Sequence, residues 1–279
     1  MTFSRWRLFG IPVASEVDLP LPAAHGDGNA LVQATCAPVA LTGELIFRSD
    51  DPEPFVCLRD GEAVVLAWEG ARFRVTADRV VMDCVTPEAA AILLLHPVWS
   101  VLLAARGAEA LHGCVVERAG SAIAIQGMSG TGKTTAGLAL LDRGYRLVTD
   151  DLIIFDGAGN VVPGPPFLRL TPDRAIGRVG HFDVGGKLRF HAPCCAEPVP
   201  LTAMVVLRED EPACARLRGA AVVDALLTQV YNPILTHPGQ ARRRLELALD
   251  LANRVPVYAA PARSLSADDL ERIAEDTAA

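Results

Sequence analysis

Residues 127–134 read G-M-S-G-T-G-K-T, an instance of G-x-x-x-x-G-K-[ST]. This string restricts the fold of the chain more than any other, because its chemistry works only between a strand and a helix. Its glycines let the backbone turn so that successive N–H groups converge on phosphate oxygens. The helix that follows adds the partial positive charge of its N-terminus. A lysine at 133 is the type that reaches β- and γ-phosphates, and the Thr134 hydroxyl is the type that ligates Mg²⁺. Gly127, Ser129, Gly130, Thr131, Gly132, Lys133, Thr134 and Thr135 form the expected nucleotide-binding set.

The flanking sequence supplies the context. Residues 121–126 (SAIAIQ) read as a short buried strand. Residues 135–143 carry helical spacing at Leu138, Ala139 and Leu141, and Gly144 suits the left-handed position after a helix. YRLVTDD at 145–151 reads as the next strand, with 152–155 apolar before an Asp156-Gly157 turn. Strand, loop, helix and strand make a βαβ unit of an α/β domain.

The first 105 residues read differently. Runs at 55–59, 62–68, 71–76 and 79–84 are rich in β-branched and aromatic residues, and Asp60-Gly61, Glu69-Gly70 and Ala77-Asp78 separate them. That pattern predicts a meander of hairpins. Pro12, Pro20, Pro22 and Pro38 suggest irregular or edge strands at the opening. Residues 89–105 are the longest apolar run, interrupted by His96 and Pro97. With Thr86 as N-cap and Pro87 in the first turn, the run reads as a buried helix over 86–105; a membrane span needs about 20 apolar residues. A smaller β-rich N-terminal domain is therefore expected over 1–105, and a P-loop domain over 106–279.

Composition narrows the function classes. The 279 residues hold 26 Lys+Arg against 33 Asp+Glu, a net charge of −7, the reverse of what a generic nucleic-acid binder shows. Half of the residues (51%) are hydrophobic, which excludes a disordered chain. The first 16 residues lack the apolar run of a secretory signal. Seven cysteines without a C-x-x-C pair suit reduced thiols in the cytoplasm, and Cys194-Cys195 near His191 read as small residues packed in a loop. Lysine is scarce: only Lys133 and Lys187 occur, and one of them stands in the phosphate loop.

Candidate chemistry gathers around that loop. An acidic residue at a strand end beside a P-loop holds Mg²⁺; the pair Asp150-Asp151 offers one carboxylate for the metal and one as a base for a hydroxyl nucleophile. His112, in LHGCVV on the strand before the P-loop strand, is a further site candidate. Lys187 and Arg189 in GGKLRF are candidate phosphate or peptide contacts, with Gly185-Gly186 forming either a loop over the phosphates or an ordinary hairpin turn. Arg216 and Arg218 follow, then Arg242, Arg243 and Arg244 on the helical run ARRRLELALDLANR. On that run Leu245, Leu249 and Ala252 predict the apolar face, with the arginines as a solvated flank.

LHGCVV followed by GMSGTGKTTAGLALLDRGYRLVTDD resembles the catalytic core of HPr serine kinase/phosphorylase. That family has a His-Gly strand, a loop G-x-S-G-x-G-K-[ST], a helix ending in R-G and a strand R-L-x-x-D-D. All four stand at 112–151, and a looser likeness runs over 109–260. The resemblance implies an α/β P-loop kinase core of the HPr-kinase/phosphoenolpyruvate-carboxykinase-like type, using ATP and Mg²⁺. Lys133 would meet phosphates, Thr134 and Asp151 the metal. Asp150 would be the general base for a seryl hydroxyl, and His112 would tune that aspartate. The family's later L-E-x-R-G signature, tied to phosphorylase activity and HPr contact, is absent between 155 and 215.

FGIPVASEVDLPLP at 9–22 and NRVPVYAAP at 253–261 resemble the divergent HPr-kinase-related proteins of peptide natural-product clusters, which include kinases of the C-terminal serine of lasso-peptide precursors. The two resemblances imply a cytoplasmic serine kinase whose partner is a peptide with an acceptor serine, with no nucleic acid and no membrane, the homo-oligomeric state left open. The alternatives are a small-molecule kinase or ATPase switch on the same core, or an HPr kinase. A non-catalytic module ranks below these, since a nucleotide clamp needs neither the aspartate pair nor His112.

Overall fold

The computed structural model describes residues 3–23, 30–50, 54–235, 238–262 and 264–278. The chain forms two compact units, Met1–Glu109 with Asn232–Gln240, and Ala110–Tyr231 with Ala241–Ala279. The architecture is α/β, with a β-rich N-terminal part.

In the first unit, β1 (Ser4–Leu8) and β2 (Ile11–Ser15) form a hairpin, followed by β3 (Val32–Cys36) and β4 (Glu44–Ser49). The meander read from the turns is present as β5 (Phe55–Asp60), β6 (Ala63–Trp68), β7 (Ala71–Val75) and β8 (Arg79–Cys84). The eight strands make one sheet in the order β1-β2-β3-β8-β7-β6-β5-β4. Period-two alternation buries Ala71, Phe73 and Val75 on one face of β7. Thr86 caps the helix as expected, its hydroxyl accepting the Ala89 N–H at 3.2 Å.

That helix is not uniform. It runs as α1 (Pro87–Leu93), a π-helical turn at Leu94–Val98 and α2 (Trp99–Ala105). Pro97 lies inside the π turn, where its missing N–H is absorbed by the widened backbone. By length and composition the stretch Pro87–Ala105 is apolar enough to cross a membrane, but 67% of it is buried within the fold, with Leu94, Leu95, Trp99 and Leu102 fully enclosed. Asn232 ties the late segment 232–240 to this unit, its amide donating to Ser100 Oγ at 2.5 Å.

The second unit opens with β9 (Leu111–Arg118), β10 (Ser121–Gly127), α3 (Lys133–Leu141), β11 (Arg146–Thr149), β12 (Leu152–Ile153) and β13 (Asn160–Val161). A small sheet of β14 (Phe167–Leu170), β15 (His181–Phe182) and β16 (Leu188–His191) follows. Then come β17 (Val199–Arg208), β18 (Ala215–Arg216), α4 (Ala220–Leu227), α5 (Pro238–Arg254), β19 (Val257–Pro261) and α6 (Ala267–Ala278). The main sheet has the order β11-β9-β10-β17-β19-β18. Strand β9 is antiparallel to both β10 and β11, so the β10–α3–β11 crossover steps over it.

Alternation along β10 feeds two cores. Ile123 and Ile125 face Leu138 and Leu140 of α3 and Leu270 and Ile273 of α6. Ala122 and Ala124 face Leu226 of α4 and Ala248 and Leu251 of α5. The apolar face expected on α5 is corrected by one step of the helix: Leu245 and Leu249 are exposed, while Ala248 and Leu251 are buried and Leu247 and Ala252 partly so.

Helix α3 begins at Lys133, two residues earlier than its periodicity predicts, because Gly132 at φ 105° turns the loop directly into the helix. Halfway along, a Cβ on Gly137 would stand 2.6 Å from the Cys114 sulfur on β9. Gly137→Ala is therefore expected to lower stability by about 1–3 kcal/mol, although alanine is the better helix former. Thermal melts check this. Adding Cys114→Ala should restore the loss, and a single variant that melts at or above the wild-type temperature refutes the close approach.

Candidate active site

The phosphate loop leaves β10 at its C-terminal end, between two neighbouring strands, β9 and β17. Gly127, Gly130 and Gly132 all have positive φ (146°, 84° and 105°). Nothing lies within 4 Å of a Cβ built on Gly130 or Gly132, so the space above the loop is open. Thr131 braces the turn, its hydroxyl donating to the Met128 carbonyl at 2.8 Å. Gly132 gives α3 no side-chain cap, which leaves the first-turn N–H groups to an anion. Lys133 Nζ donates to the carbonyls of Gly127 (2.8 Å) and Met128 (3.0 Å), folded back over the loop it serves. Thr134 and Thr135 sit half-exposed on the first turn, and Ser129 is exposed on the loop.

Asp150 and Asp151 are placed by an interruption in the sheet. Strand β11 pairs with β9 through Leu147↔Val116, slips register before Thr149↔Val115, breaks at the aspartates, and resumes in that same register as β12 with Leu152↔His112. The aspartates occupy this break rather than the end of the strand, and Asp151 has φ +67°, in the left-handed region that a non-glycine residue seldom visits. The Gly113 N–H donates to the Asp151 carbonyl at 3.2 Å, and the Leu152 N–H to that of Asp150 at 2.9 Å. The Asp150 side chain is buried, beside the enclosed Cys114 thiol, and accepts the backbone N–H groups of Asp151 and Arg169. Burial first, and the Asp151 charge second, push its carboxyl up to about 7.

His112 lies opposite Leu152 on β9, and the Tyr231 ring stacks on it at 5.4 Å with 24° between planes. The segment before α5 builds this stack: the His112 N–H donates to the Gln229 carbonyl (2.7 Å), the Tyr231 N–H to the Ala110 carbonyl (3.0 Å), and Leu111 bridges Val230. Burial, then the charges of Lys133 and Lys187, hold the imidazole below its ordinary pKa, against the pull of Asp151. The Lys133 ammonium is lowered by burial and supported by Asp151 and Asp150. Burial, then the Asp151 charge, raises the Tyr231 phenol, while Arg169 opposes them.

The site thus brings together the loop, His112, Lys133, Asp150 and Asp151, with Lys187 near enough to act on two of them. Gly185-Gly186 form a hairpin turn between β15 and β16. Arg189 lies in the middle of the small sheet, opposite Arg169 and His181. Arg216 and Arg218 are exposed, and Arg242 pairs with Glu246 on the surface of α5 at 2.8 Å. Cys194 and Cys195 flank β11, with Cys195 buried against Glu117. Sequence reasoning missed Tyr231, Arg169, Asp183 and Cys114; of these only Cys114 carried a signal, as the interior residue of the HGCVV strand.

Thr134 and Asp151 supply hard oxygen donors beside an open anion cradle. Mg²⁺ is held in such sites by one or two carboxylates together with substrate phosphates, so the residues present fit that ion.

Comparison with known proteins agrees with this arrangement. The family model for the HPr Serine kinase C-terminal domain matches residues 103–164. The HPr kinase/phosphorylase of Lachnoclostridium phytofermentans is 54% identical over 43 residues, 15% of this chain and 14% of that protein. That of Lactococcus lactis subsp. lactis is 30% identical over 131 residues, 45% of this chain and 42% of that protein. The solved Hpr(Ser) kinase/phosphatase from Coxiella burnetii aligns over 60% of this chain and 95% of its own at 15% identity, with a TM-score of 0.30. The chain spans less than half the length of the curated relatives it matches. The matched segment carries His112, the phosphate loop and both aspartates, so it is over this core that the chain is similar to the HPr kinases.

Proposed function

We propose that this protein is an ATP-dependent kinase that transfers the γ-phosphate of ATP to a seryl hydroxyl of a peptide, of the kind found at the C-terminus of lasso-peptide precursors. The observation that carries the reading is Asp150: a buried carboxyl held near neutrality, one residue from a second carboxylate and within the electrostatic reach of Lys133. A nucleotide clamp has no use for such a group, whereas a base for a hydroxyl works best with a pKa near the working pH.

Asp150 takes the proton of the seryl hydroxyl as its oxygen attacks the γ-phosphorus in line, and the bond to the ADP oxygen breaks. The loop N–H groups and Lys133 hold the phosphates, and Lys187 adds a second cation near them. Thr134 and Asp151 would hold Mg²⁺, which supplies charge neutralisation on the phosphates when bound. His112, its pKa lowered by burial, would tune the aspartates. The cytoplasm supplies the ATP and keeps thiols reduced.

Incubation with ATP and a synthetic peptide ending in serine tests the reading by mass spectrometry. The expected product carries one added phosphate on that serine. HPr belongs in the same assay as a second acceptor, because the matched core is that of HPr kinases. Phosphorylation of HPr alone overturns the peptide assignment, and ATP loss with no phosphorylated product points to an ATPase switch.

A further inference from the structure

Lys187 is the only lysine besides Lys133; it stands at the tip of the β15–β16 hairpin, near enough for its charge to act on His112 and Lys133. Something must hold that tip in place. Asp183 does so from within the turn: its Oδ1 accepts the N–H groups of Gly185 (2.9 Å) and Lys187 (3.1 Å), while its own N–H donates to the Lys187 carbonyl (2.8 Å). Its other oxygen, Oδ2, accepts from Arg169 Nε on β14 at 2.7 Å. The Asp183 side chain is 1% exposed and that of Arg169 17%, so this pair is enclosed, unlike most of the ion pairs in the chain. The guanidinium also lies against the turn itself, 3.3 Å from where a Gly185 Cβ would stand. Arg169 faces two ways: its side chain grips the hairpin, and its backbone N–H reaches the Asp150 carboxylate.

We propose that the Arg169–Asp183 ion pair is a latch that holds the Lys187 hairpin at the phosphate loop, which makes Arg169 and Asp183 positioning residues of the site. The inference rests on the kinase reading above, since the latch matters only if phosphate binds there. A buried pair is seldom kept for stability alone: removing one partner leaves the other charge uncompensated, whereas a fixed pair sets geometry. Here the geometry set is the position of a cation that no hydrogen bond of its side chain holds among the described contacts.

The test is a double-mutant cycle on the full chain, read as affinity for a fluorescent ATP analogue. Asp183→Asn and Lys187→Ala should each weaken binding about tenfold, the loss of one charge-assisted contact. Combined, they should bind no more weakly than Lys187→Ala alone, because the latch acts only through that lysine. Equal binding by Asp183→Asn and wild type, or losses that multiply in the double variant, overturns the latch. If Asp183→Asn does not fold, Gly185→Val takes its place in the cycle; its side chain displaces the guanidinium while leaving both charges. A merely structural pair would lower the melting temperature in both backgrounds without making the affinities converge. Failure of the wild-type protein to bind the analogue overturns the kinase reading instead, so the two failures are distinct.

Discussion

Asp150→Asn is expected to bind nucleotide with wild-type affinity and to transfer phosphate at least 10²-fold more slowly, the usual contribution of a positioned general base. The amide keeps the shape and can still accept the N–H groups of Asp151 and Arg169, so the turn that carries it need not change. What is lost is the ability to take a proton. The variant also reports on its own folding. The carboxyl is pushed up to about 7 in the folded chain against an ordinary aspartate value of 3.8, so between those values the folded state holds a proton that the unfolded state has released. Stability from this group therefore falls as pH rises from about 4 to about 7 and stays low above that. In metal-free buffer, Asp150→Asn should melt above wild type at pH 8 and close to it at pH 4. A variant that melts high and yet transfers phosphate at the wild-type rate removes Asp150 from the chemistry.

Those properties of Asp150 follow from a feature with no local signature. The phosphate loop, its strand and its helix are legible because each residue type is required by a short-range rule, and so are the hairpins of 55–84, marked by two-residue turns. The break between β11 and β12 is not. A strand running into two aspartates reads as a strand to its last residue; only the backbone reveals that it breaks at the pair, with Asp151 in a left-handed conformation that glycine would ordinarily mark, while the register with β9 is kept across the break. Tyr231 reaches His112 from far along the chain, through a bridge of Val230 to Leu111. Arg169 and Asp183 meet across a small sheet. Non-local pairings of this kind leave no periodicity to read. On α5 the periodicity was present but ambiguous by one step, and the buried face proved to be that of Ala248 and Leu251.

Lys133→Ala should lose nucleotide binding, with affinity lower by about a hundredfold or more, the scale for truncating one member of a desolvated charge pair. In the free chain the ammonium is held by two loop carbonyls, Gly127 and Met128, and by the attraction of both aspartates. It is thus poised at the mouth of the cradle without a carboxylate hydrogen-bonded to it, and a phosphate oxygen can replace the carbonyls at little cost. Removing it leaves the anion to the backbone N–H groups and the helix end, opposite two carboxylates whose charge Lys133 no longer offsets. The arginine habit of the chain makes Lys133→Arg the sharper control. Only two lysines stand among 26 basic residues, so the choice at 133 is not compositional. A guanidinium keeps the charge but is a planar fork where a point donor is needed, folded between a loop carbonyl and a phosphate. Lys133→Arg should therefore also bind nucleotide poorly. If it binds as well as wild type, charge alone suffices at this position; if Lys133→Ala does, residues 127–134 do not bind a nucleotide phosphate at all. Isothermal titration with ATP and Mg²⁺ separates these results, and circular dichroism of both variants checks that the loop exchange has left the fold in place.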